Sequence, residues 1–209
     1  YYQRFLHQFP TVTDLAVAND DDVLKLWQGL GYYSRARNLH KAAKIVLQNH
    51  DGIFPNTYDG LLSLPGIGPY TASAIASICF DIPVAVVDGN VFRVLSRYFD
   101  IENPINQPAG IRIFQELAQS LLDTNNPGTY NQAIMEFGAL QCVPKKPKCS
   151  SCPLHEGCLS RANNTILLRP QKLKAAPAKD RYFHYLVPFD THQNTILIKR
   201  RDKDIWQGL

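Results

Sequence analysis

Through the first 162 residues, apolar side chains recur at three- and four-residue intervals, and prolines, glycines and short polar runs cut the pattern into helical lengths. Residues 1–9 read as a helix closed by Pro10. Thr13 is expected to cap a short helix over 14–18, and the acidic run Asp20 to Asp22 opens a third that carries Val23, Leu24, Leu26 and Trp27 on one face. Gly29 and Gly31 interrupt it ahead of a basic amphipathic helix over 35–48. Gly52 and Pro55 mark a loop before a short helix over 58–63 and a two-glycine turn. A small-residue helix follows, then the apolar segment 84–87, a helix over 91–98, a proline-bearing connection over 103–108, a helix over 109–122, a turn over 125–128 and a helix over 130–140. No repeat or low-complexity run is present.

Beyond residue 163 the periodicity stops and Pro, Lys and Ala take over, which reads as a linker over 165–180. Residues 181–189 and 195–199 then alternate like strands around a polar turn at 190–194. Two domains are therefore expected, one over 1–164 and the opening of another over 181–209. The chain lacks an initiator Met and stops at Trp206-Gln207-Gly208-Leu209 in mid-pattern, so it is expected to be a piece of a longer protein.

Composition changes this picture little. The hydrophobic fraction of 45% is ordinary for a globular protein, and a net charge of +4 is compatible with a polyanionic partner without demanding one. No run is long and apolar enough to span a bilayer and the first residues lack a signal-peptide pattern, so a cytoplasmic location is expected.

The candidate chemistry lies in three places. Leu64-Pro65-Gly66-Ile67-Gly68 sets two glycines in a tight turn ahead of a helix beginning near Thr71, where unpaired N–H groups and the absence of Cβ atoms suit a phosphate. A plain helix-helix turn accounts for that pattern alone. Twenty residues after Gly68, however, Asp88-Gly89-Asn90 places a carboxylate at a second helix N-terminus. Cys142, Cys149, Cys152 and Cys158 crowd into one loop, where a metal centre is more economical than disulfides, and four thiolates suit either tetrahedral zinc or an iron-sulfur cluster. Lys145, Lys146 and Lys148 lie between the first two of them, as solvated loop residues or as phosphate contacts. Cys79 is expected to be a buried apolar residue. The exposed-looking aromatics Tyr32 and Tyr33 serve either packing or, for Tyr32, insertion into a duplex.

LPGIGPYTA, VDGNVFRVLSR, the upstream WQGLGYYSRARNLHKAA and the cysteine spacing together resemble the helix-hairpin-helix DNA glycosylases of the endonuclease III superfamily, and within it the MutY-type adenine glycosylases. The resemblance covers nearly the whole chain. It implies a mainly α fold, a six-helix barrel with an iron-sulfur helical domain, followed by the start of a Nudix-like α/β domain. It implies a [4Fe-4S] cluster on the four cysteines, and as partner double-stranded DNA containing adenine opposite 8-oxoguanine or guanine, bound by a monomer. Asp88 becomes the catalytic carboxylate, Asn90 its positioner, Tyr70 a group near the sugar, and Tyr32 a wedge beside the damaged base. Leu64, Gly66, Gly68 and Thr71 become the DNA-binding hairpin, with Gln132 at the flipped adenine.

Bifunctional members carry a lysine two residues after the second hairpin glycine, where this chain has Tyr70, so the resemblance implies base release without strand cleavage. A bifunctional pyrimidine-type glycosylase and a non-catalytic DNA-binding module are the alternatives. The family's proton-donating glutamate belongs upstream of Tyr1, which makes poor activity the expectation for these 209 residues alone.

Overall fold

A computed structural model describes residues 1–174 together with Asp180, Tyr182 and Thr195. The expected hairpin and Nudix-like opening lie otherwise outside the described residues. Among the described residues ten α-helices form: α1 (Tyr2–Gln8), α2 (Val12–Val17), α3 (Asp20–Trp27), α4 (Tyr33–Asn49), α5 (Tyr58–Leu62), α6 (Pro69–Phe80), α7 (Gly89–Tyr98), α8 (Pro108–Leu121), α9 (Pro127–Leu140) and α10 (Leu159–Ala162), with 3-10 turns at Cys149–Ser151 and Ile166–Leu168. No sheet forms among residues 1–174. The helical reading of the pattern therefore holds.

Helix starts follow local chemistry. Proline opens α6, α8 and α9, where its missing N–H has no intrahelical partner to lose. The turn expected over 125–128 falls at 123–126, where Asn126 N donates to Asp123 O at 3.3 Å, and α9 begins at Pro127. The cap of α2 is Thr11, and Thr13 lies inside the helix. Thr11 Oγ1 accepts from Asp14 N at 3.1 Å while Thr11 N donates back to Asp14 Oδ2 at 3.0 Å, a reciprocal box that only a residue three positions before an acid can close.

Packing divides the core into blocks. In the first, Phe9, Leu15, Val23, Ala36 and Ala43 join α2, α3 and α4; Asp20 Oδ1 lies 2.9 Å from His40 Nδ1 and forms an ion pair with Lys44 at 3.3 Å. In the second, Val91 and Leu95 of α7 meet Phe114 and Ala118 of α8. Leu61, Ala72 and Ala76 seal α5 onto α6. The small residues of α6 let α9 approach closely, since a Cβ on Gly128 would stand 2.7 Å from Ser77 O. Cys79 is exposed in the last turn of α6, at the edge of the face that buries Ala72, Ser73, Ala76 and Ser77.

Between α6 and α7 the apolar segment 84–87 runs extended without a neighbouring strand, and side-chain amides satisfy its backbone instead. Asn131, 1% exposed, accepts from Val86 N at 3.0 Å and donates to Val84 O and Ser77 Oγ, both at 2.9 Å. Gln119 accepts from Ala85 N at 2.9 Å and donates to Pro83 O at 3.0 Å. This fixes the path of the chain into Asp88.

Residues 165–173, expected to be linker, instead fold back onto the end of α7. Arg169 is 3% exposed, with Nε 2.9 Å from Asp100 Oδ1 and Nη2 donating to Glu102 Oε1 at 2.6 Å. Leu173 N donates to Asn106 Oδ1 at 2.9 Å, and the compact unit runs from Tyr1 to Leu173. Composition concealed this because the buried groups of the segment are polar and find their partners about 70 residues upstream.

Candidate active site

Gly66 turns the hairpin at φ +79°, in the left-handed region that favours glycine, and a Cβ there would stand 2.6 Å from Asn38 Cβ. The turn is thus pressed against α4. Gly68 caps α6 at φ −92° and ψ 178°, and a Cβ on it would meet nothing within 4 Å. Its open side faces solvent, which suits the approach of a phosphate to the N-terminus of α6. Thr71 is half-buried one turn into the helix. Leu64 contributes differently from the expectation: at 2% exposed, its side chain packs with Ala42 and Val46, and its carbonyl accepts from Ile67 N at 3.1 Å to close the turn. A residue that holds the hairpin to the core cannot also present its side chain to DNA.

Asp88 caps α7. Its Oδ1 accepts from Asn90 N and Val91 N, both at 2.8 Å, and its Oδ2 accepts from Asn90 Nδ2 at 2.8 Å. Three donors at the start of the helix fix the orientation of the carboxylate. Asn90 is held in turn, since Arg93 Nη2 donates to its Oδ1 at 2.8 Å. Arg93 also donates to Gly138 O at 2.7 Å and to Cys142 O at 2.6 Å. Burial, and the neighbouring Arg97, lower the Arg93 pKa against the opposing pull of Cys142 and Asp88. Gly138 lets α9 reach this corner, because a Cβ on it would stand 2.7 Å from Asn90 Cβ. A continuous polar chain therefore runs from the first cysteine of the loop to Asp88.

Tyr70 is 47% exposed in the first turn of α6, Tyr32 is 80% exposed ahead of α4, and Gln132 is exposed on α9 beside the buried Asn131. Lys145, Lys146 and Lys148 are exposed. The four loop cysteines are all partly buried. Arg97, 3% exposed, organises their loop: Nη1 lies 3.4 Å from Cys142 Sγ and donates to Val143 O at 2.9 Å, Nη2 donates to Pro144 O at 2.8 Å, and Nε donates to Ile166 O at 2.9 Å. Burial, then Cys142, Cys158 and Cys152 close by, push the Cys149 thiol up against the opposing Arg97. The four thiols of this loop are a donor set suited to a cation that offsets the charge they place around Cys149. Among the described residues, no three or more His, Cys, Asp or Glu side chains are drawn together as ligands of one ion.

Sequence reasoning did not single out Arg93, Arg97, Asp100 or Arg169. The available signal was the pair Arg93 and Arg97, one turn apart on a helix whose other faces are apolar.

The sequence profile of the HhH-GPD superfamily base excision DNA repair proteins matches residues 1–119. The chain belongs to that superfamily. Among HhH-GPD relatives, the adenine DNA glycosylase of Buchnera aphidicola subsp. Baizongia pistaciae is 38% identical over 212 residues, covering 100% of this chain and 59% of the relative. The adenine DNA glycosylase of Homo sapiens is 46% identical over 165 residues, covering 77% of this chain and 30% of the relative. The chain therefore spans well under two thirds of their length. A thermostable thymine-DNA glycosylase structure superposes with a TM-score of 0.72 at 29% identity, over 78% of this chain and 75% of that one. A non-covalent endonuclease III-DNA complex shares the fold, with a TM-score of 0.68 at 23% identity over 78% of this chain and 75% of that one. No helix among the described residues is long and apolar enough to cross a membrane.

Proposed function

We propose that this chain carries the hairpin, carboxylate and metal loop of a monofunctional adenine DNA glycosylase acting on adenine opposite 8-oxoguanine or guanine. The observation that carries the reading is Asp88, a carboxylate fixed by three hydrogen bonds at a helix N-terminus within an HhH-GPD domain, with Tyr70 and no amine after the hairpin. Cleaving the bond between adenine and C1′ leaves positive charge on the sugar and negative charge on the base. Asp88 supplies the anion beneath the sugar and Asn90 keeps its orientation, while water adds its oxygen to C1′, loses one proton, and adenine departs with one. The relatives named above as adenine DNA glycosylases support this substrate.

Gly66, Gly68 and Thr71 hold one strand through backbone amides at α6, Lys145, Lys146 and Lys148 add phosphate contacts from the loop, and Gln132 faces the extruded base. Cys142, Cys149, Cys152 and Cys158 would hold a [4Fe-4S] cluster. Four cysteine thiols within one loop are the donor set that such a cluster takes. When bound, the cluster supplies positive charge to the thiolates and ties residues 142–158 into one block.

The chain, joined behind the N-terminal segment of the Buchnera relative, should release adenine from a duplex pairing it with 8-oxoguanine and leave an unbroken abasic strand. Borohydride should trap no protein-DNA imine, because Tyr70 offers no amine. A trapped product would overturn the monofunctional reading, and adenine left intact at saturating protein would reduce the domain to a DNA-binding module.

A further inference from the structure

The loop before α4 holds a large aromatic in a conformation that bulky residues avoid. Tyr32 lies at φ 47° and ψ 55° and is 80% exposed, directly after Gly31 at φ +68°. Two neighbours fasten it. Trp27 Nε1 donates to Gly31 O at 3.1 Å, which pins the backbone just before the ring, and Arg35 N donates to Tyr32 O at 2.8 Å just after it. The Arg35 guanidinium carbon then stands 5.2 Å from the centre of the Tyr32 ring and 6.0 Å from that of Trp27. Both distances fall in the range of cation–π contact, and a planar guanidinium can serve two rings in a way that an ammonium cannot.

We propose that Arg35 is the positioning residue for Tyr32, its guanidinium bridging the half-buried Trp27 to the exposed tyrosine so that the ring stands ready to enter the duplex. This rests on the wedge role read for Tyr32. A bridge of this kind works through its flat face. The competing role for an exposed arginine on a DNA-binding protein is a phosphate contact, which works through charge and the N–H edge of the guanidinium, not through its face.

The test uses the 209-residue chain and a duplex in which 2-aminopurine, whose fluorescence rises on unstacking, neighbours the adenine:8-oxoguanine pair. Saturating chain should brighten the probe, and Tyr32→Ala should abolish the rise. Arg35→Lys and Arg35→Met should each cut it by about two- to fivefold, the weight of an exposed cation–π contact. The salt slope of binding should be unchanged in both variants, and Tyr32→Ala combined with Arg35→Lys should be no worse than Tyr32→Ala alone. Full brightening by Arg35→Lys, or a salt slope lowered by about one in Arg35→Met, would assign Arg35 to a phosphate and overturn the proposal while leaving the wedge intact. Wild-type brightening by Tyr32→Ala would instead remove the wedge, and the positioning role with it.

Discussion

The two hairpin glycines show how one residue type does two jobs. Gly66 is required by the protein itself, since its left-handed φ and its contact with Asn38 leave no room for a Cβ. Gly68 is not, because its dihedrals suit any residue and its open side is empty. Gly68→Ala should therefore keep stability within about 0.5 kcal/mol, while weakening duplex binding about tenfold by holding a phosphate off the α6 amides. Gly66→Ala should lower stability by about 1–3 kcal/mol. Melting curves beside binding isotherms check both, and normal binding by Gly68→Ala would remove the hairpin from the DNA interface. The glycines were legible in the sequence because turn chemistry is local. Their different burdens were not, because the contact of Gly66 is with Asn38, 28 positions away in the chain. For the same reason Leu64 looked like part of the interface and proved to be core, and Cys79 looked apolar and proved to be exposed.

Among the elements, α7 carries the site at one end and its own anchorage at the other. Its N-terminus presents Asp88, which the DGN pattern made legible. Its C-terminus runs into Asp100, held at φ 51°, whose carboxylate accepts from Thr165 Oγ1 at 2.6 Å, Asn163 Nδ2 at 2.8 Å and Ser160 Oγ at 3.0 Å. Those hydrogen bonds, Thr165 foremost and then Asn163, outweigh burial and with Arg169 hold the carboxyl down to about 2, against an ordinary 3.8. A carboxyl whose folded pKa lies below its unfolded value stabilises fully above the unfolded pKa and loses that contribution as pH falls through the folded one. Wild-type stability should therefore fall between about pH 4 and 2 by more than that of Asp100→Asn, measured by urea unfolding at each pH. Parallel curves for the two proteins would show that Asp100 does not fasten the segment. None of this was readable beforehand, since Ser160 and Asn163 lie where the helical pattern runs out and Thr165 and Arg169 lie in the stretch expected to be a linker.

At the scale of the molecule, elements from distant parts of the chain meet at one end of α7: its Asp88 cap, the α9 glycine and the cysteine loop are joined by Arg93 and Arg97. The motifs were legible one by one, but the arginines that connect them were hidden, because their partners are backbone carbonyls that no pattern marks. The cysteine loop should bring iron and acid-labile sulfide with the purified chain, and Cys149→Ser should lose both together with duplex binding; stoichiometric zinc in anaerobically purified protein would contradict the cluster. The central claim is that Asp88 acts through its charge. Asn in its place would turn an N–H toward Asn90 Nδ2 or toward the two capped amides, disturbing the polar chain as well as removing the charge. Ser is the cleaner probe, because it caps a helix nearly as well as Asp does and carries no charge. In the chain joined behind the Buchnera N-terminal segment, Asp88→Ser should retain its fold and duplex affinity, and the single-turnover rate of adenine release should fall on the order of a thousandfold. Release by Asp88→Ser at the wild-type rate would make Asp88 a helix cap and contradict the account.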